Sequence, residues 1–407
     1  MNTKKFDNYF FIYLSLLFLF GIFWLHTKHL VGNDSTISEW FINYQGGFTR
    51  RGLAGEICFQ IAKYFDLSLR FVIFLFQSFI YTIFLVLIYR FFRNIPTNLI
   101  IILSILTPIF LLYPVAEVEV LARKETFVFI AFLIFLNISN SNYSSNLPLY
   151  YVFFILPIFC LIWEPVVFFF PLMASVLIIR LRNDQLIKLL SKIIVCFIPA
   201  LVVSAIAAIM LMSPENHMIM ANSLKENFGE DCYMSCAFML HKASIAKQFE
   251  YTNDLYAPYV FIRYFLIILV GFAPFFLLSF NSKLKIKILF FKNFNNLLYP
   301  VLIILTPILV LFSMGTDWGR WVNISYTFII LFYFYLFKNN LLEVNLDKIT
   351  RKMSFFDNKK VLLILCFIIY AFGWSPQTGM TGDVSSFPGY RIPYKSIKML
   401  YYQINNN

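Results

Sequence analysis

The chain has 407 residues, of which 60% are hydrophobic and 13% charged, with a mean hydropathy of +0.74. A water-soluble domain of this length cannot hide 51 phenylalanines, so the composition excludes a soluble enzyme and points to a polytopic helical membrane protein. The formal charge of +12 is spread over many short loops instead of one face, which argues against a nucleic-acid partner.

Apolar runs occur at residues 10–25, 71–89, 98–114, 126–138, 149–163, 165–180, 189–212, 259–280, 297–314, 321–337 and 360–374. Read as helices crossing ~30 Å of hydrocarbon, they predict an all-α membrane domain over residues 1–407. It would have about 11 transmembrane helices and termini on opposite sides. Lys4 and Lys5 precede the first run, but no small-residue cleavage site follows it. It therefore reads as a retained helix and not as a signal peptide.

With the N-terminus in the cytoplasm, 18 of the 33 basic residues fall on the inner side, with only five of the 21 acids (Asp7, Asp184, Glu343, Asp347 and Asp357). That bias fixes the expected orientation by the positive-inside rule. The long outer loops are then 26–69 and 213–258, each expected to hold interfacial helices, and the tail 375–407 also lies outside. A bacterial cytoplasmic (inner) membrane is the expected location.

The polar chemistry also gathers on the outer side. Asp34 or Ser35 is placed to cap a short helix through Glu39 and Trp40. Asn43 to Glu56 follows, with four glycines and the adjacent pair Arg50 and Arg51. Glycines permit tight turns or close approach, and arginines present planar forks that suit phosphate oxygens and carboxylates. Glu117, Glu119, Arg123, Lys124 and Glu125 come next, and a helix there would let Glu119 pair with Arg123.

Glu164 stands between Trp163 and Pro165 at a turn joining two apolar runs, where a carboxylate needs a partner such as an arginine from another loop. The last cluster, Met314 to Trp321, packs Asp317, Trp318, Arg320 and Trp321 into eight residues. Asp317 and Arg320 are spaced to pair with each other. Aromatic rings beside Asp and Arg also suit sugars and phosphates.

The remaining signals are negative or open. No P-loop, dinucleotide fingerprint, HExxH or nucleophile elbow is present. His26, His29, His217 and His241 show no metal-ligand spacing, so no cofactor or histidine-held metal is expected, and a divalent cation on the outer carboxylates is left open. Cys232 and Cys236 have a spacing that fits either a disulfide in an oxidising compartment or one face of a helix. The interiors of the apolar runs carry essentially no charge, which disfavours an ion-coupled path.

This layout resembles the membrane glycosyltransferases of the GT-C superclass and the related O-antigen and capsule polymerases. The resemblance rests on many spans, a first outer loop with acids at Asp34 and Glu39, and outer-loop arginines at Arg50 and Arg51. It implies sugar transfer from a polyprenyl-phosphate or polyprenyl-diphosphate donor to a glycan acceptor at the outer leaflet. Asp34 or Glu39 would serve as base. Arg50, Arg51, Arg123, Lys124 and Arg320 would hold the phosphate, and Glu117, Glu119, Glu164, Asp317, Trp318 and Trp321 would contact substrate. A lipid-linked oligosaccharide flippase and a membrane acyltransferase are the other classes left open.

Overall fold

A computed structural model describes residues 3–31, 35–140, 143–210, 212–240, 258–286, 289–345 and 359–377, with the single positions Lys247, Glu250 and Asp254. Asp34 and most of the C-terminal tail lie outside the described residues.

The chain is overwhelmingly helical, and five helices are long and apolar enough to cross a membrane: Thr3–Leu30, Leu69–Phe92, Leu186–Ile209, Tyr259–Phe280 and Trp318–Lys338. The eleven runs expected from sequence are thus not eleven long helices. Proline explains most of the difference, because it lacks an N–H and clashes with the preceding turn. The run 98–114 breaks after Leu99–Ile105, at Thr107 and Pro108. The run 297–314 divides at Pro307 into Leu298–Ile304 and Leu309–Met314. In the run 149–163, Tyr151–Ile155 widens into a π-turn before Pro157, and the run 165–180 begins in a 3-10 turn, Glu164–Phe169, opening on Pro165. Glu125–Ile138 and Lys360–Phe372 are continuous but short. One two-stranded antiparallel ladder, Ser282–Leu284 with Leu342–Val344, departs from the all-α expectation.

Two compact units form. One comprises Met1–Asp7, Asn94–Glu117 and Ile245–Asn407, the other Asn8–Arg93 and Val118–Ser244. In the first unit, Trp318–Lys338 is the central helix, buried continuously from Gly319 to Leu336. Its polar side chains satisfy the carbonyls released where the run 98–114 breaks. Asn323 Nδ2 donates to Ile109 O and Phe110 O at 2.8 and 2.9 Å, and Tyr326 Oη donates to Ser104 O at 2.7 Å. Irregular backbone inside an apolar body needs such partners.

In the second unit, the first helix packs on Leu69–Phe92 where Gly21 admits the ring of Tyr81, whose hydroxyl donates to Leu17 O at 3.3 Å. Farther along Leu69–Phe92, buried Gln77 donates from Nε2 to Thr36 O at 3.0 Å. A polar side chain on a long apolar helix thereby fixes the short turn that carries Glu39.

Candidate functional site

The first long loop is built around Gly52–Tyr64, a helix laid against the 3-10 turn Glu39–Phe41 and the extended Ile42 that follows it. A Cβ at Gly55 would sit 2.0 Å from Ile42 O and 2.5 Å from Trp40 O, so only glycine lets the helix come this close. Glu56 on the same helix accepts from Tyr44 N and Gln45 Nε2, both at 2.8 Å, and closes the turn 44–47. The glycines thus serve approach of the chain to itself, and the turn is pinned by a carboxylate that the sequence reading did not single out.

Beneath this turn lies a knot of charge. Glu39 is 1% exposed, and its Oε2 accepts from Arg123 Nε at 2.7 Å. Arg123 also donates from Nη1 to Ser35 Oγ at 3.3 Å. Arg51 donates to both oxygens of Glu164, from Nε at 2.8 and 3.1 Å and from Nη2 at 2.8 Å, and its Nη1 lies 3.9 Å from Glu39 Oε1. Fully buried Lys124 donates from Nζ to Arg51 O at 2.5 Å, holding the left-handed backbone of Arg51 (φ 62°).

These placements show which of the residues singled out from sequence meet one another. Glu119 lies in a 3-10 turn and Ala122 has positive φ, so no helix joins Glu119 to Arg123, whose partner is Glu39. The partner of Glu164 is an arginine of another loop, namely Arg51. Arg51, Arg123 and Lys124 are engaged with the chain itself, and Glu39 is buried under two arginines. Arg50 is different. It is half-buried beside this knot, yet it makes no ion pair or hydrogen bond with the described residues.

The electrostatics follow from burial and neighbours. Burial lowers the Lys124 ammonium to about 8, against the pull of Glu39. Burial pushes the Glu164 carboxyl up, but the charge and hydrogen bonds of Arg51, with help from Arg50, outweigh it and hold it below the usual range. Desolvation lowers the Arg50 guanidinium, with Arg51 adding repulsion. Four cations against two carboxylates leave the group positive, which favours an anion beside Arg50.

The second cluster belongs to the other unit. Asp317 begins the helix Trp318–Lys338, and its Oδ2 accepts from Arg320 Nη1 at 3.1 Å. Arg320 is buried and lies 5.0 Å over the ring of Trp321. Trp318 donates from Nε1 to Phe312 O at 2.8 Å and meets the rings of Phe261, Tyr264 and Phe312 edge-on. A Cβ at Gly319 would strike Gln377 O, whose carbonyl also accepts from Tyr264 Oη at 2.9 Å. The cluster is a packed helix start. Glu117, at the end of Tyr113–Ala116, falls in this unit.

Spacing also concealed a contact on Pro214–Phe228. His217, fifteen residues before Cys232, has its Nε2 3.4 Å from Cys232 Sγ and 3.3 Å from Cys236 O, and Cys232 and Cys236 are joined in a disulfide.

Neither the curated proteins nor the solved structures gave a match to this chain. A family model described as "Uncharacterised membrane protein Rv1490" matches residues 9–247. That range includes the whole charged knot from Glu39 to Glu164. Because the match covers more than half of a chain rich in long apolar helices, the protein belongs to the Rv1490 family of membrane proteins.

Proposed function

We propose that the chain is a membrane glycosyltransferase of GT-C type, transferring a sugar from a polyprenyl-phosphate or polyprenyl-diphosphate donor to a glycan acceptor at the outer face of the bacterial cytoplasmic membrane. The observation that carries this reading is Arg50: a half-buried cation with no ion pair or hydrogen bond among the described residues, beside a knot in which neighbouring cations are already engaged. An anion whose lipid stays in the bilayer is the natural counter-charge for such a group at a loop between membrane helices.

Asp34 is the acid to act as base. Glu39 is committed to Arg123, whereas Asp34 adjoins Ser35 in sequence, and Ser35 Oγ accepts from Arg123. In the proposed step Asp34 takes the proton of the acceptor hydroxyl, and that oxygen bonds to the sugar's anomeric carbon. The bond from that carbon to the phosphate oxygen breaks, the phosphate leaves with the electron pair, and Arg50 stabilises it. Arg51, Arg123 and Lys124 position Arg50 and do not grip the donor.

The test is surface glycan amount and chain length in the native host, read on a gel, for Asp34→Ala and Arg50→Ala at normal protein levels. Loss of glycan in both supports the reading, and retention of single units without long chains makes the enzyme a polymerase. Unchanged glycan in both overturns it.

A further inference from the structure

The disulfide loop carries a second set of chemistry unrelated to the charged knot. Pro214–Phe228 is a well-terminated helix: Ser213 Oγ accepts from Asn216 N at 3.1 Å at its start, and Gly229 turns left-handed at its end. The helix holds His217 buried, facing the segment 232–236. That segment is fixed in turn, because Ser235 N donates to Ser38 Oγ at 3.2 Å and the ring of Tyr233 meets Phe41 edge-on. Three donor atoms, His217 Nε2 and the sulfurs of Cys232 and Cys236, lie within 4.8 Å of one another. All three are supplied by elements already held in place.

The Nε2 of His217 lies 3.4 Å from Cys232 Sγ and 3.3 Å from the backbone carbonyl of Cys236, so the ring is aimed at the Cys232–Cys236 segment. Zinc bonds of about 2.3 Å to sulfur and 2.0–2.1 Å to nitrogen put two tetrahedral donors roughly 3.5 Å apart. His217 Nε2 and Cys232 Sγ are 3.4 Å apart. Two thiolates and one imidazole form a donor set for a soft or borderline divalent cation, with a fourth position left for water.

We propose that His217, Cys232 and Cys236 form a thiol-gated metal site, closed as a disulfide in the oxidised chain and binding one zinc-class cation when reduced. The opening step consumes a two-electron reductant of the thiol or phosphine class. The S–S bond is reduced to two thiols: two reductant thiols hand over their hydrogens and become a disulfide, or a phosphine becomes its oxide as one water supplies the oxygen and both thiol protons. The cation then displaces one proton from each thiol, while neutral His217 contributes its Nε2 lone pair. The site is independent of the glycosyltransferase reading.

The test uses full-length protein in detergent, reduced with a phosphine, with cobalt(II) as probe and zinc as competitor. The expected result is one equivalent of cobalt with a thiolate-to-metal absorption band that zinc abolishes, seen only after reduction. Cys232→Ser/Cys236→Ser should lose the band, and His217→Ala should weaken binding by more than about tenfold. Cys366→Ser, which changes an exposed free thiol elsewhere, should bind normally. Matching gel-filtration profiles establish that each variant is folded. If reduced wild type gives no band, or folded His217→Ala binds as tightly as wild type, the site does not exist and the trio is a disulfide packed on a histidine.

Discussion

Arg51 grips both carboxylate oxygens of Glu164 across 113 residues of sequence, joining the first long loop to the turn after the helix Leu156–Ile162. Their side chains are 20% and 12% exposed, so neither charge is fully hydrated. Removing one partner strands the other in a poor dielectric, which costs more than the pair itself contributes. Glu164→Gln and Arg51→Met should each lower stability by about 2 kcal/mol, after allowance for solvent screening. The double variant should lose less than the two single effects added. The folded-state carboxyl of Glu164 is depressed below 4.5. Its contribution is therefore complete above the unfolded value and lost as pH falls through the folded one. Thermal unfolding in detergent against pH should show that acid sensitivity in wild type and not in Glu164→Gln.

Gly55 and Gly229 predict opposite tolerances. A methyl at Gly55 meets the carbonyls of Ile42 and Trp40, backbone that cannot swing aside, and Gly55→Ala should cost about 2 kcal/mol or more by overpacking. Gly229 has open space around it, and only its left-handed φ of 67° opposes a side chain. Gly229→Ala should cost about 1 kcal/mol. Equal unfolding midpoints for the two variants would count against the close seating of Gly52–Tyr64 on the chain before it.

The apolar runs and the charge bias between loops were legible because each depends on local composition. The partnerships were not. Arg123 lies four residues from Glu119 and 84 from Glu39, yet a left-handed Ala122 turns it toward the distant acid. Arg50 and Arg51 are neighbours of identical chemistry, yet only Arg51, at a left-handed backbone position, is paired with a carboxylate among the described residues. The lengths of the helices were not legible for a physical reason as well. Hydropathy registers Thr107-Pro108 or Thr306-Pro307 as a brief dip, while the backbone registers a break.

Lys124 should reveal itself through pH. Its ammonium is held near 8 in the folded chain against 10.5 unfolded, so between those values the unfolded state binds more protons. By linkage, stability must rise with pH across that window and be insensitive to this group below it. Relative to Lys124→Met, wild type should therefore gain stability from pH 8 to pH 10. A difference between the two that stays flat with pH would mean that Lys124 is not desolvated as its burial implies.

The orientation expected from the positive-inside rule has its own check. Single cysteines at Phe48 and Lys285, both exposed, should react with a membrane-impermeant maleimide from opposite sides of intact cells. The first should label from outside and the second only after permeabilisation. The reverse pattern would put the charged knot on the cytoplasmic face and remove the lipid-linked donor from its reach.

Arg50 sets stability against function. Its guanidinium is partly desolvated and repelled by Arg51, feels only the shared charge of Glu164, and makes no ion pair or hydrogen bond among the described residues. A group held in that state for folding alone would be replaced at no loss, and Arg50→Met should raise stability by about 1 kcal/mol. If an anion is what Arg50 waits for, a short prenyl diphosphate should raise the wild-type unfolding midpoint by mass action and leave that of Arg50→Met unchanged. Arg51→Met, tested the same way, should start from a lower midpoint and keep part of the ligand shift, because its charge is already spent on Glu164. A variant at Arg50 that is less stable than wild type, or equally shifted by the diphosphate, would return Arg50 to an ordinary solvated loop.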